Sequence, residues 1–481
     1  MRQLSAALFC FSSCLMNFAL QAQTLSLPVP VTVTQALQTA HVPMNALAVY
    51  VQEAGVVDGS VAPLISWQAG LPMQPASTMK LVTSYTALTL LGPAYHWKTS
   101  VYMTGHMDGD VLQGDLILQG GGDPHLVLEQ FWMLLRQIRA QGIREINGNL
   151  ILDASWMEPQ HFDAADFDGD PTRPYNVGPD ALMVNYNVLN LQLQQESNGL
   201  HISTLTPLAL QSTTNVKFVN GICNDQWRDK LKPVFTMLNQ QINMLVTGTY
   251  PSACGNKIWL LQPYPLTHAD FVGALFRGLW QQIGGQFHGE VQSGTVPTPA
   301  SLVTDFPSAA LPDVLRDMNK YSNNVMTRLV MLTLDKEANQ LPANPLRAGQ
   351  IAVNWIASLG IDVQGLQLEN GSGLSRTERI SAVQLGQLLN HAYASPVMPE
   401  LMSSLPILGV DGTMKKRALN QPVVGHAHIK SGSLEGVRAV AGYVLAASGK
   451  RYVVVCFVNH KNAAASVDAE DQLLEWVYAH G

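Results

Sequence analysis

Cysteine is scarce in this chain: five in 481 residues, too few for a disulfide scaffold and in no metal-binding spacing. Positive charge is also short. Lys plus Arg number 28 against 35 Asp plus Glu, a net charge of −7, so the basic face that nucleic acid requires is not expected. Past the first twenty or so residues no apolar run is long enough to span a bilayer, and no transmembrane helix is expected in the mature chain. No internal repeat is evident. Gly120-Gly121-Gly122-Asp123-Pro124 lacks the Gly-Lys-Ser/Thr of a phosphate loop. The aspartates Asp163, Asp166, Asp168 and Asp170 resemble a calcium loop but have no glutamate at the closing position. His426 and His428 alternate on one strand face without a third convergent ligand, so neither metal nor cofactor is expected.

What is present begins with a basic start, Met1-Arg2-Gln3, an apolar run from Leu4 to Leu20 and a small residue at Ala22. This has the form of a secretory signal peptide over residues 1–22, which places the mature protein outside the cytoplasm. Cys10 and Cys14 leave with it. Cys223 and Cys254 are then the natural disulfide pair, and Cys456, in Tyr452-Val-Val-Val-Cys-Phe-Val458, reads as a buried strand thiol. The length predicts two or three domains.

Residues 24–67 read as strands, notably Ala46–Gln52 and Pro63–Trp67. The stretch Pro75-Ala-Ser-Thr-Met-Lys80 opens an apolar run that predicts a buried helix ended by Gly92-Pro93. Ser77 and Lys80 stand three apart, so their side chains share a face. A serine hydroxyl is a weak nucleophile until a base takes its proton, and a lysine serves only if burial or a nearby cation drives it toward the neutral amine. Hairpin strands follow over 99–119, a helix near 126–139, and a β-rich stretch from Leu189 to Pro297. Helical periodicity returns from Asp313 and continues over 350–359 and 382–393. Strands over 427–444 and 451–459 and a helix over 468–479 close the chain.

Two more segments belong with Ser77. Ser322-Asn323-Asn324 opens a helical stretch, and Lys430-Ser431-Gly432-Ser433 lies in a strand whose glycine admits close backbone approach. Ser-x-x-Lys, Ser-x-Asn and Lys-Ser/Thr-Gly each occur once, in that order. The chain thus resembles the serine penicillin-recognising enzymes. The long interval from Ser77 to Ser322 resembles the low-molecular-mass class C penicillin-binding proteins, the D-alanyl-D-alanine carboxypeptidase/endopeptidase family. Gly114–Pro124, Gly148–Asp153, Asn370-Gly-Ser-Gly-Leu-Ser375 and Asp411-Gly-Thr413 are similar to stretches of that family.

The resemblance implies an α/β transpeptidase-like domain over 23–98 and 298–481, with an antiparallel sheet flanked by helices and a helical subdomain. A β-rich insertion over 99–297 would form two modules, about 99–188 and 189–297. It implies a periplasmic serine DD-peptidase that hydrolyses D-Ala-D-Ala termini and D-Ala-diaminopimelate crosslinks of peptidoglycan, with stem peptides and β-lactams as partners. Ser77 would be the nucleophile and Lys80 its base. Ser322 would pass a proton to the leaving amine, and Asn324 would hold Lys80 and the substrate amide. Lys430 would supply a positive field and meet the terminal carboxylate, with Ser431, Gly432 and Ser433 forming the substrate-binding strand. Backbone N–H groups of Ser77 and Ser433 would make the oxyanion hole. Ser431 stands where the family more often has threonine. Asn185 falls where relatives carry an acidic side chain for the stem-peptide amine, and that contact is left unassigned. A β-lactamase shares the three motifs, and a non-catalytic wall-binding protein could share the fold.

Overall fold

The computed structural model describes residues 26–481 except 161, 198, 239 and 240. The expected signal peptide lies outside the described residues. Among those described, no helix is long and apolar enough to cross a membrane.

The strands Ala427–Leu434, Val437–Leu445, Arg451–Asn459, Leu47–Glu53 and Ile65–Trp67 form, in that order, one antiparallel sheet. Side chains alternate between faces along a strand. Val49, Val51, Val454, Cys456 and Val458 face a core shared with the terminal helices Val31–Thr39 and Val467–His480. Ala48, Tyr50, Val453, Val455 and Phe457 face a second core. Both faces are covered, which is why the run from Tyr452 to Val458 is apolar without interruption. The helix Val31–Thr39 falls within the stretch read as strands. Its β-branched residues alternate with polar ones, but Val33 and Leu37, four apart, are the buried pair.

The second core holds the helix Lys80–Leu90, buried on all sides from Lys80 to Leu88. A helix enclosed all round must satisfy its polar side chains internally, and Ser84 and Thr83 do so on the carbonyls of Lys80 and Gly371. Leu311–Lys320, Asn324–Asn339, Pro345–Ser358 and Ala382–Tyr393 pack around it.

The chain leaves this body along His96–Met103 and returns along Ser301–Ala310, and the two strands pair antiparallel. With Leu116–Gln119, Leu150–Asp153 and Val291–Ser293 they make a five-stranded sheet. The helices Leu128–Ala140 and His268–Gln282 contribute to its core. Residues 189–261 build two three-stranded sheets, and Cys223 and Cys254 are joined there by a disulfide. The insertion is nested. Gln286–Phe287 and Val291–Ser293 pair with Glu145–Ile146 and Leu150–Asp153, so the end of the second expected module is built into the first.

Candidate active site

The helix expected from Pro75 begins as a 3-10 turn, Ala76–Met79, and becomes α-helical at Lys80. Ala76 has φ 45°, left-handed backbone that a non-glycine residue adopts at a cost of about 1–2 kcal/mol. Two glycines press on this turn. A Cβ on Gly373 would lie 1.9 Å from the Ala76 carbonyl oxygen, and one on Gly432 would lie 2.9 Å from the Ser77 nitrogen. The strand Ala427–Leu434 and the loop 370–374 can therefore close on Ser77 only where side chains are missing.

Lys80 is fully enclosed. Its Nζ lies 3.1 Å from Ser77 Oγ, 2.7 Å from Asn324 Oδ1 and 2.5 Å from the Ser372 carbonyl oxygen. Asn324 Nδ2 donates to the Tyr175 carbonyl at 3.1 Å, which turns Oδ1 toward Lys80. A neutral amine has two hydrogens and one lone pair. Asn324 Oδ1 and the Ser372 carbonyl accept the two hydrogens, leaving the lone pair for the Ser77 hydroxyl. Burial, then the charge of Lys430, holds the Lys80 amine well below the usual lysine range, against the opposing pull of Glu378.

Lys430 is equally enclosed, and burial lowers it to about 7. Its Nζ donates to Ser322 Oγ and to the Ser431 carbonyl, both at 2.9 Å. Ser322, at φ 58°, stands at the turn between the helices Leu311–Lys320 and Asn324–Asn339. Lys430 thus stands directly behind Ser322, whose hydroxyl accepts from it and which lines the cleft. That cleft, about 430 Å³, is lined by Ser77, Ser322, Thr413, Ser431, Ser433 and Arg438, among others. Thr413 Oγ1 lies 2.9 Å from Ser431 Oγ.

Three groups at the site were not assigned from the sequence. Glu378 is fully buried and accepts backbone N–H groups of Glu369, Asn370, Gly371 and Gly373 at 2.7–3.1 Å. It thereby shapes the loop that delivers the Ser372 carbonyl to Lys80. The Ser372 and Tyr175 contacts are backbone carbonyls, which leave no trace in residue type. Asn370–Ser375 was visible as a family-like stretch, but Glu378 is one carboxylate among many.

Elsewhere, Asn185 Nδ2 donates to the Val188 carbonyl, a local turn. His426 packs on Tyr478 and His428 Nδ1 lies 3.2 Å from the Met402 carbonyl, so the two do not converge. The aspartates 163–170 close their own loop, with Asp168 accepting from Tyr175 and Asn176 and Asp170 from Arg173. Among the described residues no group of three or more His, Cys, Asp or Glu is arranged to hold a metal ion.

A sheet covered on both faces, a buried helix opening with Ser-x-x-Lys, and the other two motifs on the neighbouring elements define a class, the serine penicillin-recognising enzymes. Within it, residues 31–480 match the D-Ala-D-Ala carboxypeptidase 3 (S13) family, and the chain belongs to that family of serine-type carboxypeptidases. It is similar to D-alanyl-D-alanine carboxypeptidase DacB of Haemophilus influenzae, 27% identical over 399 residues, 80% of each chain. A D-alanyl-D-alanine carboxypeptidase of Actinomadura sp. is 28% identical over 412 residues, covering 80% of this chain and 73% of that one. The crystal structure of penicillin binding protein 4 from Haemophilus influenzae shares the fold, with a TM-score of 0.77 at 23% identity over 94% of this chain and all of the other.

Proposed function

We propose that the protein is a periplasmic serine DD-peptidase. It would cleave the bond after the penultimate D-alanine of peptidoglycan stem peptides, both at free D-Ala-D-Ala termini and at D-Ala-diaminopimelate crosslinks. The observation that carries this reading is the placement of the fully buried Lys80 Nζ 3.1 Å from Ser77 Oγ, held there by Asn324 Oδ1 and the Ser372 carbonyl.

Ser77 Oγ attacks the carbonyl carbon while its proton passes to Lys80 Nζ. The developing oxyanion is met by the N–H groups of Ser77 and Ser433, each such donor being worth about 10²–10³ in rate. As the C–N bond breaks, Ser322 gives its proton to the leaving amine and regains one from Lys430, which lies 2.9 Å away. Asn324 keeps Lys80 aimed, and Gly432 lets the binding strand lie against the turn. The substrate's terminal carboxylate falls to the hydroxyls of Ser431, Ser433 and Thr413 and to the Arg438 guanidinium, which share the cleft with Ser77. The proton that Lys80 took from Ser77 passes back to Lys430, which restores both lysines. Water, deprotonated by Lys80, then attacks the ester carbonyl, and the acyl group leaves as Ser77 regains that proton from Lys80. A β-lactam carbonyl enters the same path; the Haemophilus penicillin binding protein 4 has been solved with a β-lactam bound.

The test is digestion of purified muropeptides by the wild type and by Ser77→Ala, following dimer, monomer and released D-alanine, alongside labelling with penicillin. The wild type should release D-alanine, convert dimer to monomer and hold label for minutes. Ser77→Ala should fold and do none of these. Label released within seconds would point to a β-lactamase, and no label on the wild type to a non-catalytic wall binder.

A further inference from the structure

A second, larger cavity of about 950 Å³ lies where the nested module rejoins the first sheet of the insertion, between the loop 154–187 and the start of the helix His268–Gln282. Three side chains on its wall carry an enclosed polar atom with no hydrogen-bond partner: Asn187 Oδ1, Gln262 Oε1 and His268 Nδ1. Asn187 and Gln262 are 2% and 6% exposed. A buried polar group left unpaired costs about 1–3 kcal/mol, and all three belong to residues on the wall of this one cavity.

The lining identifies the occupant's chemistry. Among its described residues there is no lysine or arginine, while Asp180 and Glu158 are present. An anion, including a stem peptide with its several carboxylates, has no counter-charge there. Glu158 is itself occupied by Arg347 and Asn344, and Asp180 Oδ1 accepts from the Leu182 N–H, which leaves its other oxygen as an acceptor for a hydroxyl or amide donor. Burial lowers the His268 imidazole below its ordinary range, leaving it neutral. Two neutral amides and a neutral imidazole stand beside the rings of Phe162 and Tyr264 and the Pro265 and Leu266 side chains. Neutral polar groups on an apolar wall suit a ligand with both hydroxyl or amide edges and apolar faces.

We infer that this cavity is a binding site for a neutral N-acetylated saccharide, the glycan strand of the polymer whose peptides the active site cleaves. The assignment of the strand rests on the function proposed above; the saccharide chemistry does not. Gln160, Phe162, Ala164 and Pro179 line both this cavity and the adjoining groove that reaches Asn370, Ser375 and Thr377. That groove borders the loop whose Ser372 carbonyl holds Lys80. A glycan seated in the cavity would hold the crosslinked polymer beside the nucleophile.

The experiment uses the full-length mature chain carrying Ser77→Ala, so that binding is read without turnover, and an N-acetylglucosamine tetrasaccharide as probe. Titration calorimetry should give saturable binding, with hydrogen-exchange protection confined to residues 154–187 and 262–295. Adding Gln262→Leu or, separately, Asn187→Ala should weaken binding at least tenfold while melting within a few degrees of the parent. No saturable binding up to about 10 mM would mean that the cavity holds only water, and the inference fails. Protection elsewhere, or preferential binding of a sugar-free stem tripeptide in this cavity, also overturns it. Failure of Ser77 to acylate would sink the peptidase reading but leave this one standing.

Discussion

The peptidase body and the insertion bury different things. Among the described residues every buried lysine, arginine and glutamate lies in the body: Lys80, Lys320, Arg328, Lys430, Glu378 and Glu470. The insertion encloses Leu, Ile, Val, Phe and Trp side chains around its sheets, with Asp123 and Asp153 as its buried carboxylates. Removing an ion from water costs several kcal/mol even after relaxation, so a fold concentrates such groups where altered proton affinity is useful. Glu378 and the two lysines do this as a set. The insertion is stabilised by apolar area and a disulfide, and its contribution to the site is the Tyr175 carbonyl on Asn324.

The largest effect should come from an apolar side chain at the first of these charges. Lys80→Met removes the base and should slow acylation of Ser77 by penicillin by about 10²–10⁴-fold. Its melting temperature should fall, because Asn324 Oδ1 and the Ser372 carbonyl lose their buried donor, each unpaired group costing about 1–3 kcal/mol, so acylation is measured well below the melting point of the variant. Acylation at the wild-type rate would remove Lys80 from the mechanism.

Glu378→Gln should rank second. One amide oxygen cannot replace two carboxylate oxygens that receive N–H groups of Glu369, Asn370, Gly371 and Gly373, and the amide N–H₂ would face donors. Hydrogen bonds to a charged group contribute about 1.5–3 kcal/mol each, so a loss of a few kcal/mol in stability is expected. Acylation should slow by about 10–100-fold as the Ser372 carbonyl shifts. A change in stability with no change in acylation would make Glu378 a structural acceptor only.

The pH profile separates the two opposing neighbours of Lys80. Lys80 acts when deprotonated, so the rate rises with pH through its pKa, and the fall on the alkaline side should follow Lys430 losing its proton near pH 7. The positive charge of Lys430 lowers the Lys80 pKa and the negative charge of Glu378 raises it. Lys430→Met should therefore move the acid limb to higher pH and abolish the alkaline one, while Glu378→Gln should move the acid limb to lower pH. Shifts of the same sign in both variants would contradict the electrostatic reading.

These variants also mark where the sequence was legible. Ser77 and Lys80, Ser322 and Asn324, and Lys430 with Gly432 could be read because the chemistry fixes their types at short spacings. What Lys430 faces could not be read, since its partners are the Ser322 hydroxyl, 108 positions away, and the Ser431 backbone carbonyl, and strand alternation carries no information about either. The helix Val31–Thr39 was obscured by β-branched residues that usually favour strands. The nested insertion was hidden because its defining pairs, such as Leu150 with Val291, are parallel and far apart in sequence. Local pattern carries no information about such pairings.

The smallest effect on activity is expected where the two regions differ most. Cys223 and Cys254 are 31 positions apart, and closing a loop of that size stabilises by about 3–4 kcal/mol in the chain-entropy treatment. The double variant Cys223→Ser, Cys254→Ser should lose stability of that order, seen as earlier proteolysis or melting of residues 189–261. Its acylation by penicillin should stay within about twofold of wild type, because the contact that reaches the nucleophile cluster comes from Tyr175, outside that module. If acylation falls with the disulfide, the module supports the Asn324–Lys80 geometry from a distance. The boundary between a body that holds the charges and an insertion that reaches them through Tyr175 would then have to be redrawn.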